Sequence, residues 1–201
     1  MPPITNWMMA TTCLVLLGMH AYASKTRFRV QGQIPFRMKV LGLSFVVGLG
    51  VNVSALARAR MSAASTAEAG VMYGLSLWLF LAACRVNRQR PLTVAFSHDV
   101  PQHLVRVGPY RYVRHPFYGA YCVTWLAGAT AAHSVPLLLW SFVMAIQYAQ
   151  AARLEERKFA KSSMADVYRD YCRQAGMFLP RCKTIWRHSV LRVLGAMYPL
   201  E

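Results

Sequence analysis

Acidic side chains are scarce in this chain: seven Asp and Glu stand against 23 Lys and Arg over 201 residues. Charge of either sign is sparse, since 15% of residues are charged while 56% are hydrophobic. That balance excludes an ordinary soluble domain, in which about a quarter of residues are charged. The five cysteines, Cys13, Cys84, Cys122, Cys172 and Cys182, form no C-x-x-C pair and no cluster with histidine. Neither a disulfide framework nor a zinc site is expected. His98, Asp99 and His103 lie close in sequence but have no matching fourth ligand nearby, so no metal is expected there either. Glycine-rich dinucleotide and phosphate loops and the G-x-S-x-G elbow are missing as well. No repeat or low-complexity tract divides the chain, which reads as a single membrane domain over 1–201.

What the chain does contain is long apolar runs. Crossing a hydrocarbon core of about 30 Å takes roughly 20 apolar residues in a helix. Ile4–Ala23, Val40–Ala57, Ala67–Cys84 and Val135–Ala149, continuing into Ala152, approach that length, and Phe117–Ala132 is shorter but uncharged. The reading is an all-α polytopic bundle of about five spans. Ile4–Ala23 counts as a span rather than a signal peptide, because no Lys or Arg precedes it. With the N-terminus outside, all the basic residues except Arg58 and Arg60 fall on the cytoplasmic face, as membrane topology favours. The net charge of +16 therefore reads as attraction to lipid headgroups rather than to nucleic acid. The bilayer itself is the expected partner, and the oligomeric state is left open.

The polar exception is HLVRVGPYRYVRHPFYG, residues 103–119, lodged between apolar spans. Ionisable groups at membrane level are costly and are usually kept for function. Gly108-Pro109 marks a turn, and Tyr110 after it can line a cavity. Pro116 biases His115 away from helical geometry and suits the first turn of the next helix, whose free N–H groups can receive an anion. Equally, Arg106, Arg111 and Arg114 read as side chains snorkelling to headgroups, and His115 as a capping residue. The last apolar run passes into QAARLEERKFAKSS without a break, predicting one long helix that carries Glu156 roughly 10 Å beyond Ala149. Adjacent helical side chains diverge by about 100°, so one of Glu155 and Glu156 is expected to face the bundle and the other solvent. A short helix ending at Gly176 and Pro180 follows, and TIWRHSVLRVLGAMYPL reads as an interfacial helix.

Taken in order, HLVRVGPYRYVRHPFYG, a hairpin of spans, and then RLEERKF with VYRDYCRQAGMFLP resemble the C-terminal half of the isoprenylcysteine carboxyl methyltransferase family over about residues 102–180. The spans read from composition put three in the N-terminal part (1–90) and the interfacial helix at 183–201, and the resemblance implies a cofactor-binding catalytic half (91–182) between them. It implies an integral membrane enzyme that uses S-adenosylmethionine, releases S-adenosylhomocysteine, and takes a lipophilic or small apolar acceptor from the bilayer. Gln102, His103, Leu104, Val105, Tyr110, His115, Pro116, Phe117, Tyr118 and Glu156 would then hold the cofactor, with His115 and Glu156 also in catalytic positions. Arg153 would lie near the acceptor's carboxylate. Sterol reductases share a similar R-H-P-x-Y region and use NADPH, but are much longer. A membrane subunit that keeps the architecture without turnover is the third reading.

Overall fold

A computed structural model describes residues 3–26, 28–29, 35–88, 92–93 and 103–182. Gln102, His98, Asp99 and the expected interfacial helix in 183–201 lie outside the described residues. Among the described residues six α-helices form: α1 (Ile4–Thr26), α2 (Phe36–Arg58), α3 (Ala63–Val86), α4 (Pro116–Ala132), α5 (Val135–Ala160) and α6 (Ala165–Gln174). Gly108–Arg111 forms a single 3₁₀ turn ahead of α4. Two-residue strands β1 (Phe28–Arg29) and β2 (Leu92–Thr93) pair in parallel between the loops.

Local chemistry fixes the helix ends. Ser62 caps α3 by accepting from the Ser65 N–H, while the Ser65 hydroxyl accepts from the Ser62 N–H, a reciprocal capping box. Pro116 opens α4 at the position where a missing N–H costs nothing. Ser134 caps α5 across a tight turn in which His133 adopts the left-handed conformation.

Among the described residues, Ile4–Ala23, α2, α3 and α5 are long and apolar enough to cross a membrane. α4, the fifth expected span, has only 17 residues, about 26 Å of helix. It is also the centre of the bundle, buried along most of its length and packed chiefly against α3 and α5. Trp125 of α4 is fully buried, whereas Leu43, Val46, Val71, Trp78, Leu139 and Phe142 of the surrounding helices point outward. An outward apolar surface of this kind suits lipid, since a water-soluble monomer seldom exposes so much.

Small and polar groups bring the helices together where apolar burial gives no drive. Ser76 of α3 lies 2.6 Å from Thr124 of α4, and its hydroxyl donates to the Ala120 carbonyl at 2.8 Å. Asn6 of α1 donates to the Ala59 carbonyl at 2.7 Å, tying the start of α1 to the α2–α3 turn. Asn52 of α2, fully buried, accepts from the Cys13 thiol and fills the space over Gly128 of α4. A Cβ at Gly128 would collide with the Asn52 amide. Gly128→Ala should therefore destabilise the protein by about 1–3 kcal/mol, as overpacking does. The check is its melting temperature in detergent, which Asn52→Ala in the same chain should partly restore.

Candidate active site

The site starts from backbone. After α6, residues 175–177 run alongside 112–115: Gly176 N–H donates to Tyr112, Arg114 N–H to Gly176, and His115 N–H to Met177, at 3.0, 2.8 and 3.1 Å. Glycine is required at 176, where a Cβ would strike the Leu179 carbonyl. This strap holds the residues before α4 against the C-terminal part of α5, and so presents Arg114 and His115 to Glu155 and Glu156.

Four charges close into a neutral knot. Arg114 Nε donates to Glu156 Oε1 at 2.8 Å, and its Nη1 to the Ala175 carbonyl at 2.6 Å. His115 Nε2 lies 3.1 Å from the same Glu156 oxygen, and its Nδ1 3.3 Å from Glu155 Oε2. The other Glu155 oxygen accepts from the Tyr118 hydroxyl at 2.7 Å. With a carboxylate at each ring nitrogen, both nitrogens carry protons and His115 is an imidazolium. Its side chain is 9% exposed, and those of the glutamates 18% and 19%. Charges this poorly hydrated persist only when each is paired and hydrogen-bonded. Rings continue the contact inward: His115 stacks on Tyr118, and Tyr118 on Tyr148 of α5, with centroids 5.8 and 5.6 Å apart.

The expectation that only one glutamate faces the bundle is corrected here. The 100° divergence describes Cβ directions, whereas a glutamate has three torsions beyond Cβ, and the two carboxylates converge on opposite nitrogens of one imidazole. Arg114 does not snorkel to headgroups but is half-buried in the knot.

Beside the knot, between α5 and α6, opens a cleft of about 400 Å³ lined by Glu156, Arg153, Arg157, Tyr168, Arg169 and Cys172. Arg153, expected near an acceptor carboxylate, is exposed on that cleft. Leu104 packs against Tyr168, Tyr171 and Ala175, and Val105 against the main core. His103 is half-buried, and its Nε2 is buried with no hydrogen-bond partner among the described residues. Pro116 and Phe117 are buried, the Phe117 ring edge-on to Phe80 of α3. Tyr110 is buried too. Its hydroxyl accepts from Asn87 at 2.8 Å, and its carbonyl from the Tyr171 hydroxyl at 2.6 Å, so its polar groups are engaged in anchoring the 3₁₀ turn. The structure thus gathers His115, Tyr118 and Glu156, adds Glu155 and Arg114 to them, and sets Arg153 at the adjoining cleft.

A helical bundle with membrane-spanning apolar helices and a buried ionic knot where the start of α4 meets the C-terminal part of α5 defines the class: an integral membrane protein with a buried polar site. The chain belongs to the phospholipid methyltransferase family, whose model matches residues 64–169, the family of membrane methyltransferases like the isoprenylcysteine carboxyl methyltransferases. The match runs from α3 into α6 and takes in every charged residue of the knot; the strap at 175–177 lies beyond it. No curated protein matches the chain.

Burial alone would pull the His115 pKa down, but the hydrogen bonds and charges of Glu155 and Glu156 outweigh it and hold the value above the ordinary 6.5. A raised folded-state value means the stabilisation is complete below the unfolded value and is lost as pH rises through the folded one. Melting temperature in detergent should accordingly fall from neutral toward alkaline pH. His115→Gln should melt lower than the wild type at neutral pH and flatten that slope; an equal slope in the variant would contradict the imidazolium assignment.

Proposed function

We propose that this protein is an integral membrane methyltransferase that uses S-adenosylmethionine and methylates a lipophilic or small apolar acceptor drawn from the bilayer. The single observation that carries this is the Arg114–Glu156–His115–Glu155 knot beside an open cleft, inside the residues that match the family model. The residues present fit such a cofactor by their chemistry. The first-turn N–H groups of α4 have no side-chain cap, which suits a carboxylate. Glu156 on the cleft suits an ammonium, and the buried His103 Nε2 lacks a partner among the described residues. When bound, the cofactor supplies an activated methyl group on a sulfonium sulfur.

What the chain itself contributes is alignment and exclusion of water. Arg114 and His115 hold Glu156 at the wall of the cleft from the knot side. His103, Leu104 and Val105 would continue that wall on the approach to the 3₁₀ turn, with Gln102 preceding them. Arg153 and Arg157 give the cleft a cationic rim, favourable to an acceptor that carries an acidic group. In this reading the N-terminus lies outside and the C-terminus in the cytoplasm, which puts the cleft on the cytoplasmic side, where the methyl donor is made.

The test is calorimetry with S-adenosylhomocysteine on protein in nanodiscs. The wild type should bind it, and His115→Ala and Glu156→Ala should each weaken binding by at least about tenfold, the scale of one lost charged hydrogen bond. His98→Ala should bind as the wild type does. No binding by the wild type overturns the proposal, and equal losses in all three variants overturn the placement of the site.

A further inference from the structure

The two glutamates of the knot are not equivalent. Glu156 Oε1 takes both Arg114 Nε and His115 Nε2, so two cations share it. Among the described residues Glu155 meets His115 Nδ1 at the longer distance of 3.3 Å and accepts from the neutral Tyr118 phenol at 2.7 Å. Protonating Glu156 would strip the partner from two cations; protonating Glu155 would strip it from one. Adjacent carboxylates with environments this different take different roles.

Tyr118 is the group that links Glu155 to the aromatic core of the bundle. It occupies the first turn of α4, which runs inward from Pro116, and its ring lies flat on Tyr148, seven residues deeper along α5 than Glu155. Tyr121 and Phe178 meet its ring edge-on. The phenol oxygen therefore stands between an anionic carboxylate and the buried rings of Tyr148 and Tyr121 in the bundle core. From α6, Tyr168 and Cys172 are the titratable groups nearest the far side of the knot, next to Glu156 rather than Glu155.

We infer that Tyr118 and Glu155 form a proton-accepting dyad, and that the acceptor belongs to the class that loses a proton on methylation, a hydroxyl, thiol or amine rather than a carboxylate. This rests on the methyltransferase reading above. The acceptor's X–H proton passes to the Tyr118 oxygen as the Tyr118 proton passes to Glu155 Oε1. An X–CH3 bond forms, the S–CH3 bond of the sulfonium donor breaks, and the sulfur keeps that bonding pair. Glu155, partly exposed, then returns the proton to water. His115 is a positioning residue in this scheme: its Nδ1 fixes Glu155 so that the opposite oxygen meets Tyr118.

The experiment uses the full chain in nanodiscs with labelled S-adenosylmethionine and four probes: para-dodecylphenol, its more acidic ortho-nitro derivative, dodecanethiol and dodecanoate. At least one of the phenols or the thiol should be methylated. Tyr118→Phe, which keeps the stacked ring, and Glu155→Gln should lower kcat on that probe by about a hundredfold, the usual weight of general base catalysis. Each should lower kcat by a larger factor than it weakens S-adenosylhomocysteine binding. The deficit should shrink on the nitrophenol, which needs less help to ionise; a merely structural role would not produce that dependence. Methylation of dodecanoate alone, or wild-type kcat in Tyr118→Phe, overturns the dyad. Failure of the wild type to bind S-adenosylhomocysteine overturns the methyltransferase reading instead, so the two failures are distinct. An acceptor-free readout completes the test. The NMR signal of labelled Tyr118, identified by its loss in Tyr118→Phe, should shift in Glu155→Gln, and an unmoved signal overturns the dyad even if no probe is methylated.

Discussion

Two cations and two anions, set where the start of α4 meets the C-terminal part of α5, govern the rest of the arrangement. None of Arg114, His115, Glu155 and Glu156 is well hydrated, and an unpaired charge in such surroundings is strongly destabilising. All four must be delivered together. That requirement explains several features that look unrelated in the sequence. α5 must continue past the apolar run as unbroken helix to bring its glutamates to the level of the α4 start. α6 must turn back so that Ala175, Gly176 and Met177 can receive Arg114 and present the backbone that orients His115. α4 can be short, because it begins at the knot and is enclosed by its neighbours.

The same pairing produces chemistry from structure. A histidine gripped at both nitrogens cannot rotate, and the glutamates on either side cannot drift, so the cleft wall is organised before any ligand arrives. Tyr118 extends the organised zone inward by stacking between His115 and Tyr148. Polar chemistry therefore reaches from the water-facing cleft to the edge of the apolar interior through a few side chains on rigid helices. The methyl transfer proposed above, from a water-soluble donor to a bilayer-borne acceptor, needs that geometry.

Much of the fold was legible in the sequence because lipid imposes a simple rule: long, uncharged runs must be helices with their backbone satisfied internally. The start of α4 was legible too, marked by Pro116, and so was the unbroken passage of α5 through Glu156. Glu155 was not, because helical periodicity predicts where a side chain leaves the backbone and not where a flexible carboxylate ends. Arg114 was hidden by an ambiguity of composition, since an arginine that snorkels and one that pairs look identical in a sequence. One signal was available: a chain with seven acids that places two side by side, opposite a stretch holding adjacent arginine and histidine, invites their pairing. Tyr110 carries a partner that no sequence signal announces: Asn87, distant in sequence and carrying no motif, engages its hydroxyl in the core.

The central claim is that the knot acts as one unit in forming the donor site. A double-mutant cycle on Arg114→Gln and Glu156→Gln, read as S-adenosylhomocysteine affinity in nanodiscs, addresses it directly, because residues that share one network do not contribute independently. The account predicts strong coupling, with the double variant binding no more weakly than the worse single one. Losses that simply add would contradict it.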